Sequence, residues 1–232
     1  MLEFNWFDHA FVLMIVIVVP IMSLKSEQMT AEMIKSLPPK KHLFYTNGLM
    51  LIIGALLVLT SWNISGRSWN ELGFALISMN ESVKIFCSIL IVFYLSDLIL
   101  GFFNIKYLES RLEDLHFIIP LNWQEFRSYI FLAVSAGICE EIIFRGFLIT
   151  YFSHFLAEVP YGQYVAILIP ALVFSVSHIY QGWWAVLKIL ILALLFGYIF
   201  IFSESLIAVI IIHIMIDIFS GIAGVLGHKN VS

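Results

Sequence analysis

Residues 135–152 read SAGICEEIIFRGFLITYF. Glu140, Glu141 and Arg145 interrupt one of the most apolar stretches of the chain. If this stretch lies in a bilayer, each ionised side chain near its centre costs roughly 2.5–3.5 kcal/mol on insertion scales. A chain carrying three such groups together is more plausibly using them than tolerating them. Whether the stretch is a membrane span depends on the rest of the sequence.

Composition answers for the membrane. The 232 residues are 61% hydrophobic and 12% charged, with 21 Phe and a mean hydropathy of +0.98. A soluble domain of this length would expose too much apolar surface. A transmembrane helix needs about 20 mostly apolar residues, and several such runs are present. The net charge of −4 and the lack of a basic cluster with interleaved aromatics exclude a nucleic-acid partner. Cys87 and Cys139 stand alone in apolar runs, without metal-ligating spacing, and read as buried free thiols. The first residues carry Glu3 and Asp8, no Lys or Arg, and no small-residue cleavage site follows. The N-terminal run therefore reads as a first span rather than a cleaved signal peptide.

The fold expected is all-α: a polytopic membrane protein of about seven, seven to eight, transmembrane helices enclosing an intramembrane polar site. Spans are expected near 7–24, 43–62, 82–104, 126–157, 163–180, 183–202 and 204–226. The fourth is too long for one crossing, so it is either a tilted helix running beyond the membrane or two segments. The connection 105–125 mixes charges with apolar residues and reads as an interfacial amphipathic segment. Trp62, Trp69, Trp123, Trp183 and Trp184 fall near span ends, as interfacial anchors do. Lys25, Lys35, Lys40 and Lys41, then Lys106, Arg111 and Arg127, then Lys229, fall on one side of an alternating path. The positive-inside rule places that side, with the C-terminus, in the cytoplasm. The expected division is a supporting part, 1–122, and a catalytic helical core, 123–232.

Ionisable residues deep in the last four spans are Glu140, Glu141, Arg145, His178, His213 and Asp217, with Lys188 nearer an end. In the first three spans Asp97 is comparable. Polar groups in lipid face inward and find one another, so the C-terminal half is expected to enclose one polar site. Residues four apart share a helix face. Glu141 and Arg145 can therefore pair within one helix, and Glu140 is left free, turned toward Phe144. Phe174 and His178 share a face, as do His213 and Asp217, where Asp217 can orient His213 or both can face a ligand. Lone histidines and a single Glu–Arg pair are commonly structural. Lys188 and Lys84 can snorkel, Asp97 reads as a packing or polar contact, and Gly221, Gly224 and Gly227 permit close helix packing. A carboxylate and two imidazoles from three helices, however, can activate water.

Three ordered motifs, Glu140-Glu141-x-x-x-Arg145, Phe174-x-x-x-His178 and His213-x-x-x-Asp217, resemble those of the CPBP family. This is the CAAX protease and bacteriocin-processing (Abi) group of intramembrane proteases, including the Rce1-type prenyl-protein endopeptidases. The resemblance covers roughly residues 123–221; nothing in 1–122 matches. It implies Glu140 as the base activating water, helped by His178, with His213 and Asp217 stabilising the oxyanion. Glu141, Arg145 and Phe174 would support the site or contact substrate. Eukaryotic members have Asn where this chain has Asp217. An ionised Asp cannot donate a hydrogen bond, so Asp217 is expected to be protonated, to orient His213 or to bind a metal.

The function expected is an intramembrane endopeptidase acting on a membrane-associated protein or peptide: a CAAX-type prenylprotein, or a bacteriocin or leader peptide. No cofactor is expected, although His178, His213 and Asp217 around Zn²⁺, with Glu140 as base, would form a typical catalytic set. The alternatives are a non-proteolytic immunity or scaffold protein of the same fold and a small proton-coupled transporter. The lack of internal repeats weighs against the transporter. The location expected is the plasma membrane of a prokaryote.

Overall fold

The computed structural model describes residues 2–25, 36–103, 115 and 118–231. Among them all regular structure is helical. Seven helices follow in chain order: α1 (Trp6–Lys25), α2 (Lys40–Ile64), α3 (Glu81–Phe103), α4 (123–155), α5 (Gly162–Val176), α6 (Trp183–Ser203) and α7 (Leu206–Val231). The chain is a polytopic all-α membrane protein. Helices α1, α2, α3, α6 and α7 are each long and apolar enough to cross a bilayer. Most of the expected amphipathic connection, with Lys106 and Arg111, lies outside the described residues, as do Lys35 and His116.

Local chemistry sets the helix starts. Asn5 caps α1 by accepting from the N–H groups of Phe7 and Asp8, while Asp8 accepts from the Asn5 N–H. That reciprocal pair satisfies otherwise orphaned donors. Asn122 caps α4 by accepting from the Glu125 N–H at 2.9 Å. Pro39 precedes α2 in extended geometry, and its ring ends any helix arriving from upstream.

The long fourth segment is one helix, roughly 50 Å from end to end at about 1.5 Å per residue. It stays continuous through a stretch of wider π-type turns, Glu141–Ile149, in which every residue is buried. π-type turns are uncommon and concentrate at functional sites. Helix α4 is the hub: it packs against α2 and α7 along its first part and against α5 and α6 through its π-type turns. Helix α1 lies against α2 and α5, and α3 against α6. Outward faces of α2 and α3 present Leu49, Met50, Ile53, Leu56, Ile85, Ile89, Val92 and Leu95. An apolar exterior of that extent is what lipid contact requires.

Two expectations need correction. The fifth span ends at Val176 rather than 180. At 15 residues it is about 22 Å long, short of the roughly 30 Å hydrocarbon core. Ser177 and His178 leave the helix in a tightened last turn, and Gly182, at φ 95°, swings the chain into α6. Trp62 is not an interfacial anchor, because it is fully buried. Its ring stacks under the Arg67 guanidinium at 4.3 Å and its Nε1 donates to the Ser68 carbonyl. Trp69, Trp123, Trp183 and Trp184 are exposed, as expected.

Connection 65–80 is folded over one end of the bundle. Arg67 pairs with Asp8 of α1 at 3.0 Å, both buried. The Leu206 N–H donates to Gly73 O, Ser205 Oγ to Ala75 O, the Ser78 N–H to Ser203 O and Thr150 Oγ1 to Glu71 O. Gly73 (φ 96°) is required here, since a Cβ would sit 2.5 Å from Phe200 and 3.2 Å from the Leu206 nitrogen.

Helices α4 and α7 come close at Gly137, where a Cβ would lie 2.9 Å from the Ile214 nitrogen. Backbone cannot yield as a side chain can. Gly137→Leu should therefore destabilise the protein by more than the ~1–3 kcal/mol typical of overpacking, read as thermal unfolding in detergent. Ile138→Ala, on the outward side of the same turn, should leave the transition near that of the wild type.

Candidate active site

Glu141 lies at the centre of the bundle and is wholly inaccessible to solvent. Its Oε1 accepts from Arg145 Nη1 at 2.8 Å, one helical turn on, and from His213 Nδ1 of α7 at 2.7 Å. Its second oxygen, Oε2, is buried without a hydrogen-bond partner. Arg145 is held between the rings of Phe174 on α5 and Phe196 on α6, 5.1 and 5.2 Å away. Its Nη2 reaches the Ala193 carbonyl at 3.4 Å. One ion pair on α4 thus touches α5, α6 and α7.

The expected Glu141–Arg145 pair is present, but Glu141 does more than neutralise it. It fixes the His213 ring, one of the tasks that the spacing allowed Asp217. With Nδ1–H directed at Glu141, Nε2 is the nitrogen presented to the site. Glu140 Oε2 and Asp217 Oδ2 each lie 3.8 Å from that Nε2. Both separations exceed hydrogen-bond length, so neither carboxylate claims Nε2. A water placed beside Nε2 can meet all three groups, whereas a carbonyl oxygen there can only accept from Nε2–H. Phe196 stacks on the other side of the ring, centroids 5.5 Å apart.

His178 is positioned differently from expectation. It stands in the turn after α5, where its Nδ1 meets the Phe174 carbonyl at 2.7 Å. The carbonyl can only accept, so Nδ1 carries the proton and Nε2 remains the basic nitrogen. The i,i+4 relation survives the helix end, with the Phe174 and His178 rings 4.7 Å apart. Phe144 packs edge-on against Phe174. Between Glu140 and His178 there is neither hydrogen bond nor ion pair. The structure therefore gathers Glu140, Glu141, Arg145, His213 and Asp217, with His178 joined to them through Phe174.

Among the described residues, no three His, Cys, Asp or Glu side chains are gathered so as to hold a metal ion. Of the expected zinc set, His213 and Asp217 adjoin, and His178 makes no hydrogen bond or ion pair to either. The donor types suit zinc, but their placement does not assemble a set of three.

Sequence reasoning missed several partners. Asp97 and Lys188 pair with each other across α3 and α6 at 2.6 Å, so Lys188 is not simply snorkelling. Phe196, Ala193 and Gly137 shape the site with no signal beyond apolarity. Gly221 and Gly224 do serve close packing, against Tyr129 and the Pro120 carbonyl.

Residues 122–219 match the family described as Type II CAAX prenyl endopeptidase Rce1-like. The segment is similar to that family. It occupies under half of the chain and includes every residue of the cluster around His213. No curated protein and no solved structure matches the chain. The matched segment runs from the cap of α4 to two residues past Asp217 on α7.

The buried Glu141–Arg145 ion pair gives a stability test. Arg145→Ala leaves the Glu141 carboxylate without its cation, which should cost about 3–5 kcal/mol. Removing both charges, as Glu141→Leu with Arg145→Leu, should recover part of that loss in equilibrium unfolding. Equal destabilisation by the single and double changes would mean that the ion pair is not what holds this region.

Proposed function

We propose that the chain is an intramembrane endopeptidase in which Glu140 activates the attacking water. The family match supports a CAAX-type intramembrane protease at the level of the family. The observation that carries the mechanistic reading is the geometry about His213 Nε2, with Glu140 and Asp217 each at 3.8 Å and Glu141 holding the opposite nitrogen at 2.7 Å.

In this reading Glu140 takes a proton from water and the hydroxide adds to the scissile carbonyl. His178, its basic Nε2 free, assists in holding the water. The oxyanion is met by Nε2–H of a protonated His213, a charge balanced by the carboxylates around it. A donor of this kind typically contributes about 2.7–4 kcal/mol to the transition state. The tetrahedral intermediate collapses with the Glu140 proton passing to the leaving amine. Asp217, acceptor-only when ionised, acts on the charge of His213 rather than on the oxyanion.

The substrate is a membrane-associated protein or peptide, either with a CAAX-type prenylated C-terminus or with a bacteriocin-type leader. Helices 1–122 support the core formed by 123–232. The protein lies in a prokaryotic plasma membrane, with its C-terminus and Lys25, Lys40, Lys41 and Lys229 on the cytoplasmic side.

Mass spectrometry of membrane proteins and peptides should reveal products present with wild type and absent with Glu140→Ala. On the cleaved substrate, Glu140→Ala, His178→Ala and His213→Ala should each lower kcat by at least ~10²-fold. Unchanged cleavage by Glu140→Ala would remove Glu140 as base. Chelator treatment with metal analysis of the purified protein tests metal dependence, and the glutamate reading expects full activity after chelation.

A further inference from the structure

The weakest point of the site is the placement of Asp217. Its carboxylate makes no hydrogen bond and stands 3.8 Å from the nitrogen it faces. His213 has an anchor in Glu141; Asp217 has none at its side chain. Its position is set by the backbone of α7.

That backbone is gripped at two consecutive carbonyls by hydroxyls from two other helices. Tyr94 on α3 donates to the Ile216 carbonyl at 3.1 Å and lies 3.0 Å from Ser220 Oγ. Tyr129 on α4 donates to the Asp217 carbonyl at 3.3 Å. A helix carbonyl has a second lone pair beyond the one used in its own ladder, so both bonds can form without opening α7. Ser220 stands four residues after Ile216, the spacing at which a helical serine turns its hydroxyl back onto the i−4 carbonyl. Tyr94 bridges those two groups, accepting from Ser220 while donating to Ile216. Tyr129 is buried, and its ring rests on Gly221, where a Cβ would come within 2.6 Å.

We infer that Tyr94 and Tyr129 are positioning residues that fix the rotation of α7, and so set Asp217 and His213 against Glu140. Packing at Gly137 and Gly221 sets how closely α7 approaches α4. The two hydroxyls, arriving from different helices, set how α7 is turned about its own axis. Tyr94 lies outside the matched segment 122–219, so α3 is tied to the site through this bond. A misplacement of about 1 Å at a reacting group can lower a rate by about 100-fold, so a small rotation of α7 suffices.

The kinetic half of the test rests on the endopeptidase reading, and the exchange half does not. Tyr94→Phe, Tyr129→Phe and the double variant are placed in nanodiscs. Each is assayed on a synthetic peptide carrying the cleavage site found in the membrane comparison above. The expected result is a kcat lower by about 10-fold in each single variant and up to about 100-fold in the double, with KM within about twofold. Amide hydrogen exchange over residues 213–221 should rise in the same variants while the thermal midpoint holds. If wild type cleaves and the variants keep its kcat, or raise KM alone, the positioning role is wrong. If wild type cleaves nothing, the endopeptidase reading falls, and exchange alone decides: unchanged exchange over 213–221 overturns the pinning of α7.

Discussion

A single carboxylate, Glu141, carries more of this structure than any other group. It is sealed from solvent and shares one oxygen between Arg145 and His213. Both bonds matter because a buried charge without partners is far more costly than a satisfied one. Arg145, once neutralised, can sit between two phenylalanine rings and draw α5 and α6 onto α4. His213, once oriented, offers a single nitrogen toward Glu140 and Asp217. Packing of the last four helices and orientation of the candidate catalytic ring are thus consequences of the same ion pair.

The division of labour inside the Glu-Glu-Ile-Ile-Phe-Arg segment follows. Adjacent residues on a helix point in different directions, so Glu140 and Glu141 cannot serve the same partner equally. The one facing the bundle interior became the anchor, and the other remains uncommitted at 3.8 Å from His213. A general base has to be uncommitted in this sense, able to bind water rather than a permanent cation. The wider π-type turns begin at Glu141, where the two roles separate.

Much of this was readable from the chain. Hydrophobic run length placed the helices because a bilayer leaves few other options. The i,i+4 rule found Glu141 with Arg145 and kept Phe174 beside His178, since both relations lie within one local backbone path. What sequence spacing could not supply is the rotation of one helix relative to another. It offered Asp217 as the orienter of His213, since the two share a face, whereas the ring turns instead to Glu141 on α4. It could not choose partners for Asp8, Arg67, Asp97 or Lys188, each of which pairs with a residue on a distant part of the chain. It overran the end of α5 because Ser177 to Gln181 contain no proline or glycine to mark a stop, while the turn that ends it involves Gly182 and the hydrogen bond made by His178.

The charge pairs differ in one respect that bears on how the protein is made. Glu141 and Arg145 belong to one helix and can neutralise each other as that helix enters the bilayer. Asp97 and Lys188 belong to helices separated by 91 residues. When α3 emerges, Lys188 has not yet been synthesised, so this ion pair cannot yet form. Helix α3 completes its burial only after α6 arrives, and the Tyr94 bond to α7 follows later still. The contacts that hold α3 against α6 and α7 therefore form late, once the last helices are in place.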